Sequence, residues 1–159
     1  MEKQRKILPP EILLEQYRQL LQEGSGVEEL PLVISGSSMT PFLAGGRDTV
    51  YLSRPAGRLR RGDMALYRRD NGAYVLHRVY RVEGKRYTMV GDAQAELEHG
   101  IREDQVLAVV KRVLRKGKAV EPGCVLWFFF EKVWIRMVPL RRPVMRFYSL
   151  LRCKNKTHG

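Results

Sequence analysis

The sequence of 159 residues has few of the side chains on which metal sites and disulfide frameworks depend. It contains two cysteines, Cys124 and Cys153, and three histidines. Neither cysteine belongs to a CxxC pair or to another metal-ligand spacing, so we predict reduced thiols, no bound metal and no cofactor. Repeats and low-complexity tracts are also missing. The apolar content of 44% and charged content of 29% are ordinary for one folded domain.

Acidic residues are scarce in the last third of the chain. Residues 1–110 hold 16 Lys and Arg against 15 Asp and Glu, whereas residues 111–159 hold 13 against 2. The net charge of +12 is therefore a property of the C-terminal part. Basic segments attract nucleic-acid phosphates and anionic lipid headgroups alike, so charge alone does not distinguish these partners.

Apolar runs long enough to cross a bilayer are missing as well. Residues 1–10 are polar and basic with no apolar stretch behind them, so we expect neither a secretory signal peptide nor an N-terminal anchor. Residues 124–151 are rich in aromatic side chains, but Glu131, Pro139 and Pro143 interrupt them before about 20 apolar residues accumulate. Trp and Phe among Lys and Arg are typical of a segment lying in an anionic membrane interface. A helix packed on the body of the protein is the alternative. The expected location is peripheral to a membrane or cytoplasmic.

The middle of the chain is patterned as β-structure. Short segments rich in Val and Tyr alternate with turn residues, and Asp70-Asn71-Gly72 predicts a tight hairpin because Asn and Gly tolerate positive φ angles. The predicted strands are 32–34, 49–52, 64–67, 74–82, 87–90 and 106–114. We therefore predict a mainly β (α+β) fold.

A helix is predicted before these strands. Leu14, Tyr17 and Leu21 follow one another at i, i+3 and i+7, which places them on a single apolar stripe. Gly24 and Gly26 are expected to end the helix.

The turn after the first predicted strand presents a candidate nucleophile. In the run Gly36-Ser37-Ser38-Met39-Thr40-Pro41, the glycine permits close backbone approach and the proline fixes one φ angle. Ser38 becomes a nucleophile if a neighbouring base takes its proton and backbone N–H groups face the developing oxyanion. Ser37 and Met39 are predicted to line the substrate pocket and oxyanion site, with Met39 as an apolar wall.

A candidate base lies in the longest predicted strand. Alternation places His77 on one face with Val75 and Val79, among apolar neighbours. A partly desolvated imidazole stays neutral near pH 7 and can accept a serine proton. The alternative is a core or surface histidine with a satisfied hydrogen bond.

Three further segments follow the serine run in order: Gly62-Asp63-Met64-Ala65-Leu66-Tyr67, then Val75-Leu76-His77-Arg78-Val79, then Gly91-Asp92. Together these segments resemble the signal peptidase I family (S24/S26-like serine peptidases) over residues 30 to 115. The likeness is to its histidine-type branch, found in archaea, the endoplasmic reticulum and some Gram-positive bacteria. It implies a LexA- and signal-peptidase-like sheet, Ser38 as nucleophile, His77 as base, and cleavage after small residues.

The resemblance also implies a catalytic acid shortly after the Gly-Asp segment. The family's position corresponds to Glu98, where the family usually has Asp, and Asp92 and Glu96 compete for the role. A solvated loop carboxylate is the alternative for all three. Arg47, inserted between glycine and aspartate, is a second departure from the family pattern.

We therefore expect three parts: a helical segment over 1–29, a signal-peptidase-like catalytic β domain over 30–118, and a basic aromatic helical tail over 119–159. The predicted activity is a serine endopeptidase acting on the leader or signal peptide of a peptide or preprotein. A LexA-type self-cleaving peptidase would need a lysine in place of His77, and Lys85 and Lys111 fit other positions better. A noncatalytic basic module that binds membranes is the alternative outside enzymes. Because bulky apolar residues dominate the basic segment, no nucleic-acid partner is expected.

Overall fold

The computed structural model describes residues 10–21, 26 and 28–154. The helices are α1 (Pro10–Leu20), α2 (Val125–Phe128) and α3 (Arg141–Lys154). The strands are β1 (Leu30–Val33), β2 (Thr49–Ser53), β3 (Met64–Arg68), β4 (Tyr74–Glu83), β5 (Arg86–Val90), β6 (Glu98–Arg102), β7 (Val106–Arg115) and β8 (Lys118–Val120). Strands account for 36% and helices for 26%, which confirms the mainly β (α+β) class.

All eight strands belong to one antiparallel sheet. Their order is β1-β2-β7-β3-β4-β5-β6, with β8 paired to β7. Strands β3 to β6 form a meander of successive neighbours, whereas β7 returns from the far edge to lie between β2 and β3. This return joins the β1–β2 pair to the meander. The loop between β1 and β2, which carries Ser38, and strand β4, which carries His77, are therefore parts of one sheet structure.

Each strand predicted from the alternating pattern lies within a few residues of an observed strand. Strands β6 and β8 were not predicted. Strand β6 lies at the sheet edge and buries only Ile101, so it lacks the apolar alternation that marks a strand. The predicted first helix is present as α1, which ends at Leu20, before Gly24 and Gly26; Gly24 lies outside the described residues.

The hairpin between β3 and β4 differs from the predicted tight turn. Of the Asn-Gly pair only Gly72 takes a positive φ, at 88°. The strands pair last at Arg68 and Tyr74, and the Arg69 backbone N–H donates to the Ala73 carbonyl at 2.8 Å. The loop is therefore longer than two residues, and it begins at Arg69.

Two hydrophobic clusters cover the sheet. The first contains Met64 and Leu66 together with Phe42, Trp127 and Phe130. The buried members of the second are Leu59, Ala65, Tyr67, Val79, Tyr87, Met89, Ile101 and Val109. Along β4, Tyr74 and Leu76 pack against the first cluster and Val75 against the second, as the alternation predicted.

The chain beyond the sheet is helical but broken. A π-helical stretch (Phe129–Val133) and a 3-10 stretch (Trp134–Leu140) separate α2 from α3, with a kink at Met137. The inner side packs on the sheet: the Phe42 ring lies 4.7 Å from Phe130 and 6.0 Å from Trp127, centroid to centroid. No helix in the described ranges has the length and apolar character needed to cross a bilayer.

Candidate active site

The loop that carries Ser38 connects β1 to β2 and is closed at its base. Backbone hydrogen bonds join Ile34 N to the Asp48 carbonyl at 3.2 Å and Gly46 N to the Ile34 carbonyl at 2.9 Å. A Cβ at Gly45 would lie 2.8 Å from the Gly36 backbone nitrogen. The two arms of the loop therefore touch, and this contact requires glycine at position 45.

The base of the same loop contains a buried carboxylate. Asp48 accepts hydrogen bonds from the backbone N–H groups of Ala44 at 2.8 Å and Lys116 at 3.1 Å, and from the Arg47 guanidinium. Burial alone would raise the pKa of Asp48, but these donors lower the pKa to about 2. Arg47, the insertion noted in the sequence, thus neutralises a carboxylate that ties the loop to the β7–β8 turn.

Ser38 is held from behind by the segment after β5. The Ala93 backbone N–H donates to the Ser38 carbonyl at 2.8 Å. A Cβ at Gly91 would lie 2.6 Å from that carbonyl oxygen, so the Gly-Asp segment can approach Ser38 only because position 91 is glycine. The serine backbone is therefore fixed by its contacts with the segment after β5.

His77 begins a chain of polar contacts. Its Nδ1 lies 3.2 Å from the Tyr67 hydroxyl, and that hydroxyl donates to Glu98 Oε2 at 2.6 Å. Arg69 donates to both oxygens of Glu98, at 2.7 and 2.6 Å. Glu98 Oε2 itself is 4.0 Å from His77 Nδ1. The carboxylate is thus connected to the histidine through the tyrosine hydroxyl.

This arrangement defines the tautomer of His77. A phenol has one proton, and the ionised Glu98 carboxylate can only accept, so the Tyr67 proton points to Glu98. The remaining interaction of the Tyr67 oxygen is as acceptor, which requires the proton of neutral His77 to be on Nδ1. The lone pair then lies on Nε2, where a general base needs it.

The electrostatics agree with this assignment. Burial lowers the pKa of His77 to about 4, against an opposing effect of the Glu98 carboxylate, so the imidazole is neutral near pH 7. Burial and the hydrogen bond to Glu98 raise the pKa of Tyr67, which keeps the phenol protonated. Burial would raise the pKa of Glu98, but hydrogen bonds from Arg69 and Tyr67 lower it below its ordinary value.

Ser38 and His77 line one cavity of about 500 Å³. It is bounded by Leu14, Leu32, Val33, Ile34, Ser35, Gly36, Ser38, Met39, Leu66, Arg69, Tyr74, Val75, Leu76, His77 and Gln94. No lysine occurs among these lining residues. The cavity is therefore mostly apolar, and it brings the candidate nucleophile Ser38 and the candidate base His77 to one place next to Arg69.

Neither reactive atom is sealed inside the protein. Within the described ranges, Arg141 Nε is the only fully buried side-chain nitrogen or oxygen without a hydrogen-bond partner. Ser38 Oγ and His77 Nε2 have no partner in this part of the chain either, so neither atom is fully buried. They are not hydrogen-bonded to each other here. Catalytic hydrogen bonds commonly shorten only when substrate is bound.

The other predicted site residues fall in three different places. Met39 is buried and lines the cavity, as an apolar wall should. Ser37 is exposed and outside the lining, and its carbonyl accepts from the Thr40 N–H at 3.1 Å. Glu96 lies on the surface, where Arg142 donates to it at 2.6 Å.

Asp92 lies in a second, fully buried polar cluster. Arg78 donates to both of its oxygens, at 3.0 and 2.8 Å, and also to the Gly62 carbonyl at 2.9 Å. Trp134 Nε1 donates to the Asp92 carbonyl at 2.8 Å. The two Gly-Asp segments of the sequence thus meet at one arginine, and Asp92 is engaged there rather than at His77.

Tyr67 and Arg69 were missed as site residues in the sequence. The hairpin register places Tyr67 opposite Val75 and Ala65 opposite His77, so Tyr67 is on the same face as the histidine and diagonal to it. Alternation from the hairpin turn could have identified this neighbour. No periodic pattern indicates the contact with Glu98, which is 31 residues away in sequence.

No group of three or more His, Cys, Asp or Glu side chains suited to a metal ion occurs among the described residues. Comparison of the chain with protein-family models and with curated proteins finds no match. Function is therefore inferred from the residues and their geometry.

Proposed function

We propose that this chain is a serine endopeptidase of the signal peptidase I type, built on a LexA-like sheet, with Ser38 as nucleophile and His77 as general base. One observation carries the proposal. Ser38 and His77 line the same apolar cavity. The Tyr67–Glu98 pair holds the imidazole through Nδ1, which leaves Nε2 as the basic nitrogen.

The reaction is acyl transfer. His77 Nε2 takes the Ser38 proton as Oγ attacks the substrate carbonyl carbon, and backbone N–H groups beside Ser38 face the oxyanion. Collapse of the tetrahedral intermediate breaks the peptide C–N bond, and His77 returns the proton to the leaving amine. A water molecule, deprotonated by the same Nε2, then hydrolyses the acyl-enzyme.

Glu98 is the acid of the proposed site and acts through Tyr67. When His77 becomes protonated, the Tyr67 oxygen accepts from Nδ1 while the Tyr67 O–H continues to donate to the ionised Glu98, so the carboxylate stabilises the imidazolium across one intervening group. Arg69 keeps Glu98 ionised. Asp92 has both oxygens occupied by Arg78 and has no comparable path to the ring.

The cavity supports an extended peptide substrate with small or apolar side chains. Strand β1 is at the edge of the sheet and pairs only with β2. The Pro31 carbonyl already accepts from the Tyr17 hydroxyl, so the backbone available to a peptide strand lies towards Val33. Leu32 and Val33 of β1 line the cavity, and Val33 is 61% exposed. Leader and signal peptides with small residues before the cleaved bond fit this description.

A serine–lysine mechanism has less support. Lys85 lies in the exposed β4–β5 turn and Lys111 is exposed on β7, and neither lines the cavity. The alternative outside enzymes, a noncatalytic module on the same fold, predicts that Ser38 and His77 can be replaced without functional loss.

The test compares wild type with Ser38→Ala and His77→Ala on a peptide library bearing small residues, read by mass spectrometry. Each change should lower kcat/KM by about 10³-fold or more. Ser53→Ala and His99→Ala are the matched controls, since neither residue lines the cavity. Cleavage that survives both site changes would refute the pair, and a wild type that cleaves no peptide would favour the noncatalytic module.

A further inference from the structure

The helical segment over residues 125–147, here called the C-terminal segment, is apolar on two sides. Its inner side is buried on the sheet and comprises Trp127, Phe130, Trp134, Ile135 and Val138. A helix needs only one apolar side to pack on a domain. Apolar residues on the other side are therefore not required for that packing.

The outer side is made of two stripes of exposed apolar side chains. The first comprises Val125, Phe128, Phe129 and Val133, and the second comprises Leu140, Val144 and Phe147. Val125 is 87% exposed, Phe147 64% and Phe128 55%. Within each stripe most neighbours are three or four residues apart, so the exposed apolar side chains of each stripe are grouped together.

Basic residues accompany both stripes. The C-terminal segment contains Lys132, Arg136, Arg141, Arg142 and Arg146 against a single acid, Glu131. All of these cations except Arg141 are exposed. Lys132 pairs with Glu131 at 2.7 Å and Arg142 with Glu96 at 2.6 Å. Because Lys and Arg outnumber Asp and Glu in this segment, its net charge is positive.

We propose that the outer side of the C-terminal segment docks on an anionic membrane surface, with its aromatic rings at the acyl boundary and its cations against lipid headgroups. A second copy of the chain is a poorer occupant, because a symmetric contact would place the same positive surface against itself. Headgroups supply the negative charge that this surface lacks, and the acyl boundary accepts the rings.

Docking on this side is connected to the proposed active site. Arg141, fully buried, donates from Nη1 to the Gly91 carbonyl at 2.8 Å and to the Gln94 carbonyl at 3.1 Å, and from Nη2 to the Trp134 carbonyl at 3.0 Å. These bonds clamp the segment that supports the Ser38 carbonyl. A membrane bound to the outer side would therefore be separated from the serine loop by the C-terminal segment.

The experiment measures partition of the purified full chain onto vesicles of phosphatidylcholine with and without phosphatidylglycerol, at low and high salt. It needs no peptidase activity, so it stands or falls separately from the proposed function. We expect binding that depends on phosphatidylglycerol and weakens with salt. The double variant Phe128→Ser/Phe147→Ser should bind at least about tenfold more weakly.

A charge variant and two controls distinguish docking through the outer side from nonspecific electrostatic attraction to the vesicle. Arg136→Gln should weaken binding about fivefold. Lys118→Gln removes an exposed cation from β8, and Leu20→Ser removes an exposed apolar residue from α1, and both should bind like wild type. Emission of Trp127 and Trp134, the only two tryptophans, reports whether the buried inner side stays packed.

Three results would overturn the proposal. The first is vesicle binding that is absent or unchanged in the double phenylalanine variant with unaltered tryptophan emission. The second is equal weakening of vesicle binding by Lys118→Gln and Arg136→Gln, which would indicate that binding depends on the overall positive charge and not on the outer side. The third is a dimer in solution, or binding of single-stranded oligonucleotide, that the phenylalanine changes abolish while vesicle binding persists.

Discussion

Two neighbouring residues of β4, His77 and Arg78, point to opposite faces of the strand and lead to two polar clusters of different character. The His77 cluster reaches a half-buried glutamate through a tyrosine and leaves one imidazole nitrogen at a cavity. The Arg78 cluster is sealed, with the arginine 1% and Asp92 0% exposed in their side chains. The first cluster therefore borders a cavity that a substrate could enter, whereas the second is closed off from solvent.

The contrast between these clusters shows how the fold gives different roles to two carboxylates of similar chemistry. A bidentate arginine uses the acceptor capacity of Asp92 and ties it to structure. Glu98 also has an arginine, but one of its oxygens accepts from Tyr67 as well, and that bond continues to His77. Both residues are carboxylates paired with an arginine. The additional hydrogen bond from Tyr67, which leads to His77, distinguishes Glu98, the proposed acid, from Asp92, which has a structural role.

The largest effect is expected from breaking the sealed cluster. Asp92→Asn leaves Arg78 buried without a charge partner, so the free energy of unfolding should fall by about 3–5 kcal/mol, measured by urea denaturation. Glu96→Gln, at the exposed pair with Arg142, is the control and should unfold like wild type. Equal losses in the two variants would contradict a structural role specific to Asp92.

The next effect concerns the pH dependence of stability at His77. In the unfolded chain a histidine titrates near pH 6.5, whereas burial lowers the pKa of His77 to about 4 in the folded protein. The unfolded state therefore binds more protons between these values, and stability should fall by roughly 3 kcal/mol as pH decreases from about 6.5 to 4. His77→Asn should flatten this part of the curve in pH-dependent urea titrations. Parallel curves for the two proteins would show that His77 is not the titrating group.

A smaller effect is expected on activity from the acid of the first cluster. Glu98→Gln removes the charge that stabilises the imidazolium, and loss of a hydrogen bond to a charged group, about 1.5–3 kcal/mol, corresponds to about a 10- to 100-fold lower kcat. Glu103→Gln is the matched control, since Glu103 accepts from another tyrosine hydroxyl, that of Tyr87, outside the cavity. If both variants retain full activity, Glu98 has no part in the reaction.

The smallest effect is expected at the intervening hydroxyl. Tyr67→Phe removes a neutral acceptor from His77 Nδ1, so kcat should fall by about 2- to 10-fold with KM unchanged. Tyr87→Phe serves as the control. In a double-mutant cycle, Tyr67→Phe should add little to Glu98→Gln because the two act in series. Additive losses would mean that Glu98 acts on His77 without the tyrosine.

Local features of the fold followed from the sequence because they depend on neighbours in the chain. The alternation of β4 assigned Val75 and Val79 to the face of His77, and the structure confirms this side of the strand. The apolar stripe of α1 was also predicted correctly, with Leu14 and Leu21 buried. Strand β6 was missed because an edge strand with one buried residue has no pattern to detect.

Three features could be predicted from the sequence because they depend on residues close together in the chain. They are the order of the serine, histidine and Gly-Asp segments, the β-patterning around them, and the basic aromatic end of the chain. Only the tertiary structure separated Glu98 from Asp92 and Glu96, and only it divided the aromatic end into a buried and an exposed side. The physical reason is the same in both cases. Burial and hydrogen-bond partners come from strands and helices that meet after tens of intervening residues, as Tyr67 meets Glu98 and Arg141 meets Gly91.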